Sequence, residues 1–255
     1  MSHIHAIILG IIEGITEFLP ISSTGHLILA GKLLGVSDGS LAKTFDIIIQ
    51  LGAILAVVVL YFKDIFKWEM IKKLVAGFVP TAVIGLAFYK IVKNYLLGNV
   101  WVVLGALFVG GAALIVFERW YAKKVLIVPA RETMSYKDAF FVGCAQSLAI
   151  IPGVSRSAST IVGGLLLGLS RKTIVKFSFL LAVPTMAAAT GLDILKNYKL
   201  FSMADIGTIG IGFVVSFIVA LVVIKWFIKY IQKHNFEIFG WYRIVLAVIF
   251  ILFML

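Results

Sequence analysis

Six apolar runs, near residues 45–62, 73–90, 100–118, 177–194, 206–228 and 240–255, constrain this chain more than any other feature of its sequence. A membrane-spanning helix needs about 20 mostly apolar residues, and the polar sequence between these runs is too sparse to cover a soluble core. Composition agrees: 62% of the 255 residues are hydrophobic and 14% charged, and mean hydropathy is +1.09. Soluble domains sit nearer half apolar and a quarter charged, so the chain reads as an all-α polytopic membrane protein. The opening Met-Ser-His-Ile-His lacks the basic start of a cleaved signal peptide, so the first apolar stretch is expected to stay in the mature protein. Cys144 is the single cysteine, which leaves no intrachain disulfide to form.

Two further apolar regions, 4–36 and 138–170, are each broken by a turn rich in Pro, Gly and Ser. The breaks are Leu19-Pro20-Ile21-Ser22-Ser23-Thr24-Gly25-His26 and Ile151-Pro152-Gly153-Val154-Ser155-Arg156-Ser157. Helices this short, stopped at proline, predict re-entrant pairs that enter and leave on one side. Such backbone survives at membrane depth only where protein or water surrounds it. A shift of 132 residues lays Pro20 on Pro152, Ser23 on Ser155, Gly31 on Gly163 and Phe45 on Phe177. The prediction is therefore an inverted-topology repeat, residues 1–125 and 126–255, each half a re-entrant helix pair followed by three transmembrane helices. Paired broken helices of inverted repeats place a site near the midplane.

The net charge of +11 would suggest nucleic acid in a soluble protein. Here Lys and Arg cluster at the ends of apolar runs, where they orient helices and meet anionic head groups, so the expected partners are membrane lipids and not nucleic acid. Fifteen of them fall in the connections holding Lys63 to Lys73, Arg119 to Lys137, Arg171 to Lys176 and Lys225 to Lys233. Six fall in the alternate connections, at Lys32, Lys43, Lys90, Lys93, Lys196 and Lys199. The richer set should be cytoplasmic, which turns the mouth of the first broken pair outward. Trp68, Trp101, Trp120, Trp226 and Trp241 lie near span ends, as interfacial anchors do. A homodimer is left open: Gly110, Gly111, Ala112 and Ala113 are small enough for close helix packing, against a partner the sequence does not identify.

Polar residues within apolar segments need a reason. Glu13 and Glu17, four apart, share one helix face. Two carboxylates there repel unless a cation lies between them, and an all-oxygen donor set suits Mg2+ or Ca2+. Ser22, Ser23 and Thr24 precede the second short helix, whose N-terminus offers a seat for phosphate oxygens. Ordinary capping explains any one of these hydroxyls, but it explains His26 poorly. Ser23 and His26 can form a nucleophile and base. In the second break Arg156, flanked by Ser155 and Ser157, carries a guanidinium suited to a bidentate grip on phosphate. Asp46, Gln50 and Asp193 are secondary candidates for lining the same cavity. Acids, hydroxyls, a histidine and an arginine on paired breaks are what phosphoryl transfer requires, since its transition state is stabilised by positioning and positive charge. The same parts would serve a transporter or flippase of a lipid phosphate, the alternative reading.

Glu-Gly-Ile-Thr-Glu-Phe-Leu-Pro-Ile-Ser-Ser-Thr-Gly-His, residues 13–26, resembles the signature of bacterial undecaprenyl-diphosphate phosphatases of the bacitracin-resistance family. Pro-Gly-Val-Ser-Arg-Ser-Ala-Ser-Thr, residues 152–160, resembles that family's second signature, which often has Gly where this chain has Ala158. Lys-Thr-Phe-Asp-Ile-Ile-Ile-Gln-Leu-Gly and Phe-Ser-Phe-Leu-Leu-Ala-Val-Pro fit as well, so the likeness covers essentially the whole chain. The resemblance implies hydrolysis of undecaprenyl diphosphate to the monophosphate at the outer face of the plasma membrane, in cell-wall synthesis. It also implies dependence on a divalent cation and the inverted-repeat fold. Carried over, Glu13 and Glu17 are the acidic, metal-holding pair, Ser23 and His26 the reacting residues and Arg156 the phosphate clamp. The other large class of membrane lipid phosphatases needs a His soon after its Ser-Arg element; none follows Ser155-Arg156 until His234.

Overall fold

A computed structural model describes residues 1–36, 40–96, 99–125, 130–197 and 203–254. The side chains of Lys43, Lys93, Lys124, Asp193, Lys196 and Lys199 lie outside the described residues. The regular elements of the described chain are helices, apart from an isolated bridge between Arg131 and Leu169: α1 His3–Thr16, α2 Ser23–Leu33, α3 Ser40–Leu60, the single turn α4 Phe62–Ile65, α5 Trp68–Ile91 and α6 Val100–Val125. There follow α7 Tyr136–Gln146, α8 Arg156–Leu166, α9 Arg171–Asn197, α10 Met203–Tyr230 and α11 Glu237–Met254. Among the described residues four helices are long and apolar enough to cross a membrane, within α5, α6, α9 and α10. α5 and α9 start several residues before their apolar runs, because Lys72, Lys73, Arg171 and Lys172 ride on helical turns. The five tryptophans sit exposed near helix ends.

Each apolar region that the sequence breaks is a pair of short helices, α1 with α2 and α7 with α8. Ser2 caps α1 by accepting from His5 N–H, and Ser135 caps α7 by accepting from Asp138 N–H. Ser22 caps α2 through Gly25 N–H and Ser155 caps α8 through Ala158 N–H. Both pairs end on a positive-φ glycine, Gly35 and Gly168. Each of these features recurs after 133 residues, one more than the prolines imply. The second break has an extra residue between its proline and its cap, so Ser155 corresponds to Ser22, and Arg156 to Ser23.

Packing crosses between the chain's halves. α1 lies along α10, and its counterpart α7 lies along α5; α3 meets α9, and α6 meets α11. Glycine permits the first two contacts. A Cβ at Gly10 would stand 2.7 Å from the Gly212 carbonyl oxygen on α10, and one at Gly143 would collide with the Gly77 oxygen on α5. Gly110 and Gly111 are likewise occupied by α11 of the same chain.

The ends carrying the richer basic set meet on one face and are tied by ion pairs. Arg171 grips the buried Glu118 through two bonds of 2.6 Å, Arg119 pairs with Glu237, and Arg131 joins Asp138 and the Leu167 carbonyl. Lys176 bonds Asp64 at 2.6 Å, and with Lys67 it holds the Asp64 carboxyl below its ordinary range. Among the described residues one ion pair lies away from this face, Glu17 with Arg156.

Gly143→Ala should separate α7 from α5 and lower the unfolding temperature in detergent, at a cost of about 1–3 kcal/mol. Gly85→Ala, whose added methyl meets nothing within 4 Å, should unfold at or above the wild-type temperature, since Ala is favoured over helical Gly by about 0.5–1 kcal/mol.

Candidate active site

α1 carries Glu13 on its last full turn and ends at Glu17, whose N–H still bonds to the Glu13 carbonyl. The chain then turns and restarts as α2 behind Ser22. Ser22 and Ser155 are the two described non-glycine residues with positive φ, at 71° and 79°. Such backbone costs on the order of 1–3 kcal/mol and persists only where its surroundings hold it. The surroundings are the two breaks themselves, which interlock. Ser157 Oγ donates to the Leu19 carbonyl at 2.7 Å and lies 3.1 Å from Ser155 Oγ. Arg156 donates through Nη2 to Glu17 Oε1 at 2.9 Å and through Nη1 to the Ser178 carbonyl at 2.8 Å.

Ser23 Oγ donates to the other Glu17 oxygen at 2.6 Å. Glu17 therefore joins the hydroxyl of the first break to the cation of the second, and all three are largely buried. Together with Ser22, Thr24 and Ser155 they line a cavity of about 220 Å³, to which α3 adds Gln50. Arg156 Nε has no acceptor among the described residues and is free to bond a guest.

Glu13 lies deeper. It is 0% exposed, and neither carboxyl oxygen meets a donor among the described residues, while the carboxyls of Glu17 and Asp46 are nearby. Among the described residues no set of three or more His, Cys, Asp or Glu is gathered in metal-binding geometry. The orphaned oxygens of Glu13 nevertheless fit a hard cation, because Mg2+ is commonly held by one or two carboxylates with substrate phosphate and water completing the shell.

The structure brings Glu13, Glu17, Ser22, Ser23, Thr24, Ser155, Arg156 and Ser157 to the two breaks, but it turns His26 away from Ser23. Nδ1 of His26 lies 2.8 Å from the Ser22 carbonyl oxygen, so that nitrogen is the donor, and Nε2 accepts from Tyr242 Oη at 2.8 Å. The ring stacks on Tyr242 beside a separate apolar crevice lined by Ile12, Leu29, Leu246 and Phe250. The Ser23 proton is directed to Glu17 instead.

A model of the bacitracin resistance protein BacA family matches residues 6–249. The chain belongs to this family. It is 48% identical to the undecaprenyl-diphosphatase of Aquifex aeolicus over the full length of both chains. It is 49% identical to that of Sulfurihydrogenibium sp., with 99% of each covered, and 50% identical to that of Campylobacter jejuni serotype O:23/36, with 98% of this chain and 94% of the relative covered.

In this member of the BacA family the residue that sequence reasoning missed is Arg243. It is 1% exposed on α11, and Nη2 donates to Ala106 O and Gly153 O at 3.0 Å each, while Nη1 reaches Pro20 O at 3.5 Å. One guanidinium thus serves carbonyls of both breaks. A lone arginine inside the last apolar run was the available signal. Gly110 makes room for it, since a Cβ there would collide with Nη2. Arg243→Lys should lower the unfolding temperature in detergent, because an ammonium cannot span three carbonyls and each charge-assisted bond contributes about 1.5–3 kcal/mol. Gly110→Ala should reproduce the loss without altering the charge.

Proposed function

We propose that this chain hydrolyses undecaprenyl diphosphate to undecaprenyl phosphate and inorganic phosphate. It would thereby recycle the lipid carrier for peptidoglycan synthesis in the bacterial plasma membrane and confer bacitracin resistance. The observation that carries the reading is the buried chain Ser23–Glu17–Arg156 on one cavity wall: a hydroxyl, a proton acceptor and a fixed cation, the parts phosphoryl transfer needs. The full-length identity to proteins named undecaprenyl-diphosphatase supports the same substrate.

Ser23 Oγ attacks the terminal phosphorus while its proton passes to Glu17 Oε2, and the bond to the bridging oxygen breaks to release the lipid monophosphate. Arg156 turns its unpaired Nε to a phosphate oxygen, and a substrate phosphate competes with Glu17 for Nη2. The capped start of α2 behind Ser22, with Thr24, and the α8 cap formed by Ser155 and Ser157 offer further donors. His26 holds the Ser22 carbonyl and so the turn that aims Ser23. A divalent cation, Mg2+ or Ca2+, on Glu13 and Glu17 would neutralise phosphate charge.

The finer architecture belongs to the same proposal. The recurrence of caps and glycines after 133 residues, and the exchange of α1 on α10 for α7 on α5, support two inverted halves, each beginning with a re-entrant pair. With the ion-paired basic face in the cytoplasm, the mouth at the first break faces outward.

Purified protein should release phosphate from an isoprenyl diphosphate and stop when a chelator is added. Ser23→Ala and Arg156→Lys should each lose roughly a hundredfold or more in kcat, the scale of a lost transition-state contact. Full activity in either variant would sink the assignment. Movement of lipid across sealed vesicles without phosphate release would replace hydrolysis by transport.

A further inference from the structure

Part of the cavity wall carries no charge: Thr81 of α5, Gln146 at the end of α7 and Thr185 of α9. α5 and α9 both contain Val-Pro-Thr within the helix, at 79–81 and 183–185. Each hydroxyl turns back to a backbone carbonyl. Thr81 Oγ1 donates to Gly143 O at 2.9 Å and Thr185 Oγ1 to Leu181 O at 2.8 Å. A hydroxyl has one proton, so both threonines are spent as donors and offer Gln146 only lone pairs.

That decides how the Gln146 amide lies. Nε2 must face the threonines, and it donates to Thr81 Oγ1 at 2.9 Å and Thr185 Oγ1 at 3.1 Å. Both N–H groups are consumed. Oε1 is left as an acceptor only, and no donor among the described residues meets it, although the residue is 1% exposed. A buried acceptor without a donor is costly, and a guest in the cavity can remove that cost. An anionic phosphate oxygen is no such guest, since it has no proton to give. A divalent cation would prefer the carboxylates of Glu13 and Glu17 to three neutral oxygens. Water fits best: it donates one proton to Oε1 and keeps the second proton and its lone pairs for the rest of the cavity, within the two to four partners a buried water takes.

We infer that Gln146, clamped by Thr81 and Thr185, seats the water that completes hydrolysis. The inference rests on the function proposed above. The water oxygen bonds to phosphorus as the bond from phosphorus to Ser23 Oγ breaks. One water proton ends on Ser23 Oγ by way of Glu17, and the other stays on inorganic phosphate. Gln146 takes no proton; it orients the water.

The test is the partition of the phosphoryl group between water and a small alcohol such as methanol, measured in the full-length detergent-purified protein with KM and unfolding temperature alongside. Gln146→Leu should lower phosphate release roughly ten- to a hundredfold, the scale of a misplaced reactant. KM should stay within about twofold, and the fraction transferred to methanol should rise. Thr185→Val, which frees the amide from one clamp, should shift the partition in the same direction by less, and it carries the test if Q146L does not fold. Unchanged partition in a folded variant overturns the inference, as does a loss that appears as a higher cation requirement or a higher KM. Wild-type protein that releases no phosphate overturns the proposed function instead, so the two failures are distinguishable.

Discussion

Hydrogen bonds to the carbonyls freed at the two breaks hold the rest of the molecule in register. Where a helix stops at membrane depth its last carbonyls lose their partners, and lipid offers no replacement. Leu19, Pro20 and Gly153 are supplied by Ser157 and Arg243. Each donor comes from an element other than the one whose carbonyl it serves, so the repair of local backbone is also the tertiary joint. Arg243 has the widest reach, because its guanidinium serves both breaks and α6 at once. The close approach of α11 to α6 over Gly110 is what admits that cation.

The polar atoms left without partners cluster around this joint. Among the described residues they belong to Glu13, Gln146, Arg156 and Arg243, while buried polar groups elsewhere, such as Glu118 and Ser216, are bonded. Native proteins leave few such atoms. Their concentration at the breaks, beside two serines in a costly backbone region, makes this the least satisfied part of the described interior. The apolar cluster around Phe179 and Phe227, which includes Phe18 and the Leu180–Leu181 pair, offsets that cost and holds the joint in place.

Much of this was legible in the sequence, for reasons particular residues make clear. The apolar runs and the prolines at 20 and 152 announce spanning helices and breaks, because backbone without partners is so costly in lipid that few alternatives exist. Glu13, Glu17, Ser23 and Arg156 were legible for the same reason, polar groups in apolar surroundings. The partner of Ser23 was not: a base three residues along the helix looks as plausible as an acid six residues back, until the turn at Ser22 sends the His26 ring to Tyr242. Arg243 carries the same signal, a lone cation inside an apolar run, but its spacing does not say which carbonyls it serves. The prolines are offset by 132 residues and the caps by 133, because proline does not sit at the same distance from the cap in both breaks.

In the register of the caps, the two breaks contribute different groups. The caps are alike, Ser22 and Ser155, in the same unusual backbone conformation with the same bond to the third residue on. The next residue differs, Ser23 in one half and Arg156 in the other, so a common turn presents a hydroxyl from one side and a cation from the other. One turn before the breaks, Glu13 corresponds to Gln146, an acid against its amide. Interlocking the breaks then brings unlike groups together, because each half faces the other's substitution and not its own. A single unit folded twice could make only a doubled hydroxyl or a doubled cation. The differences at these two pairs give the joint a hydroxyl from one side, a guanidinium from the other and an uncharged wall at Gln146.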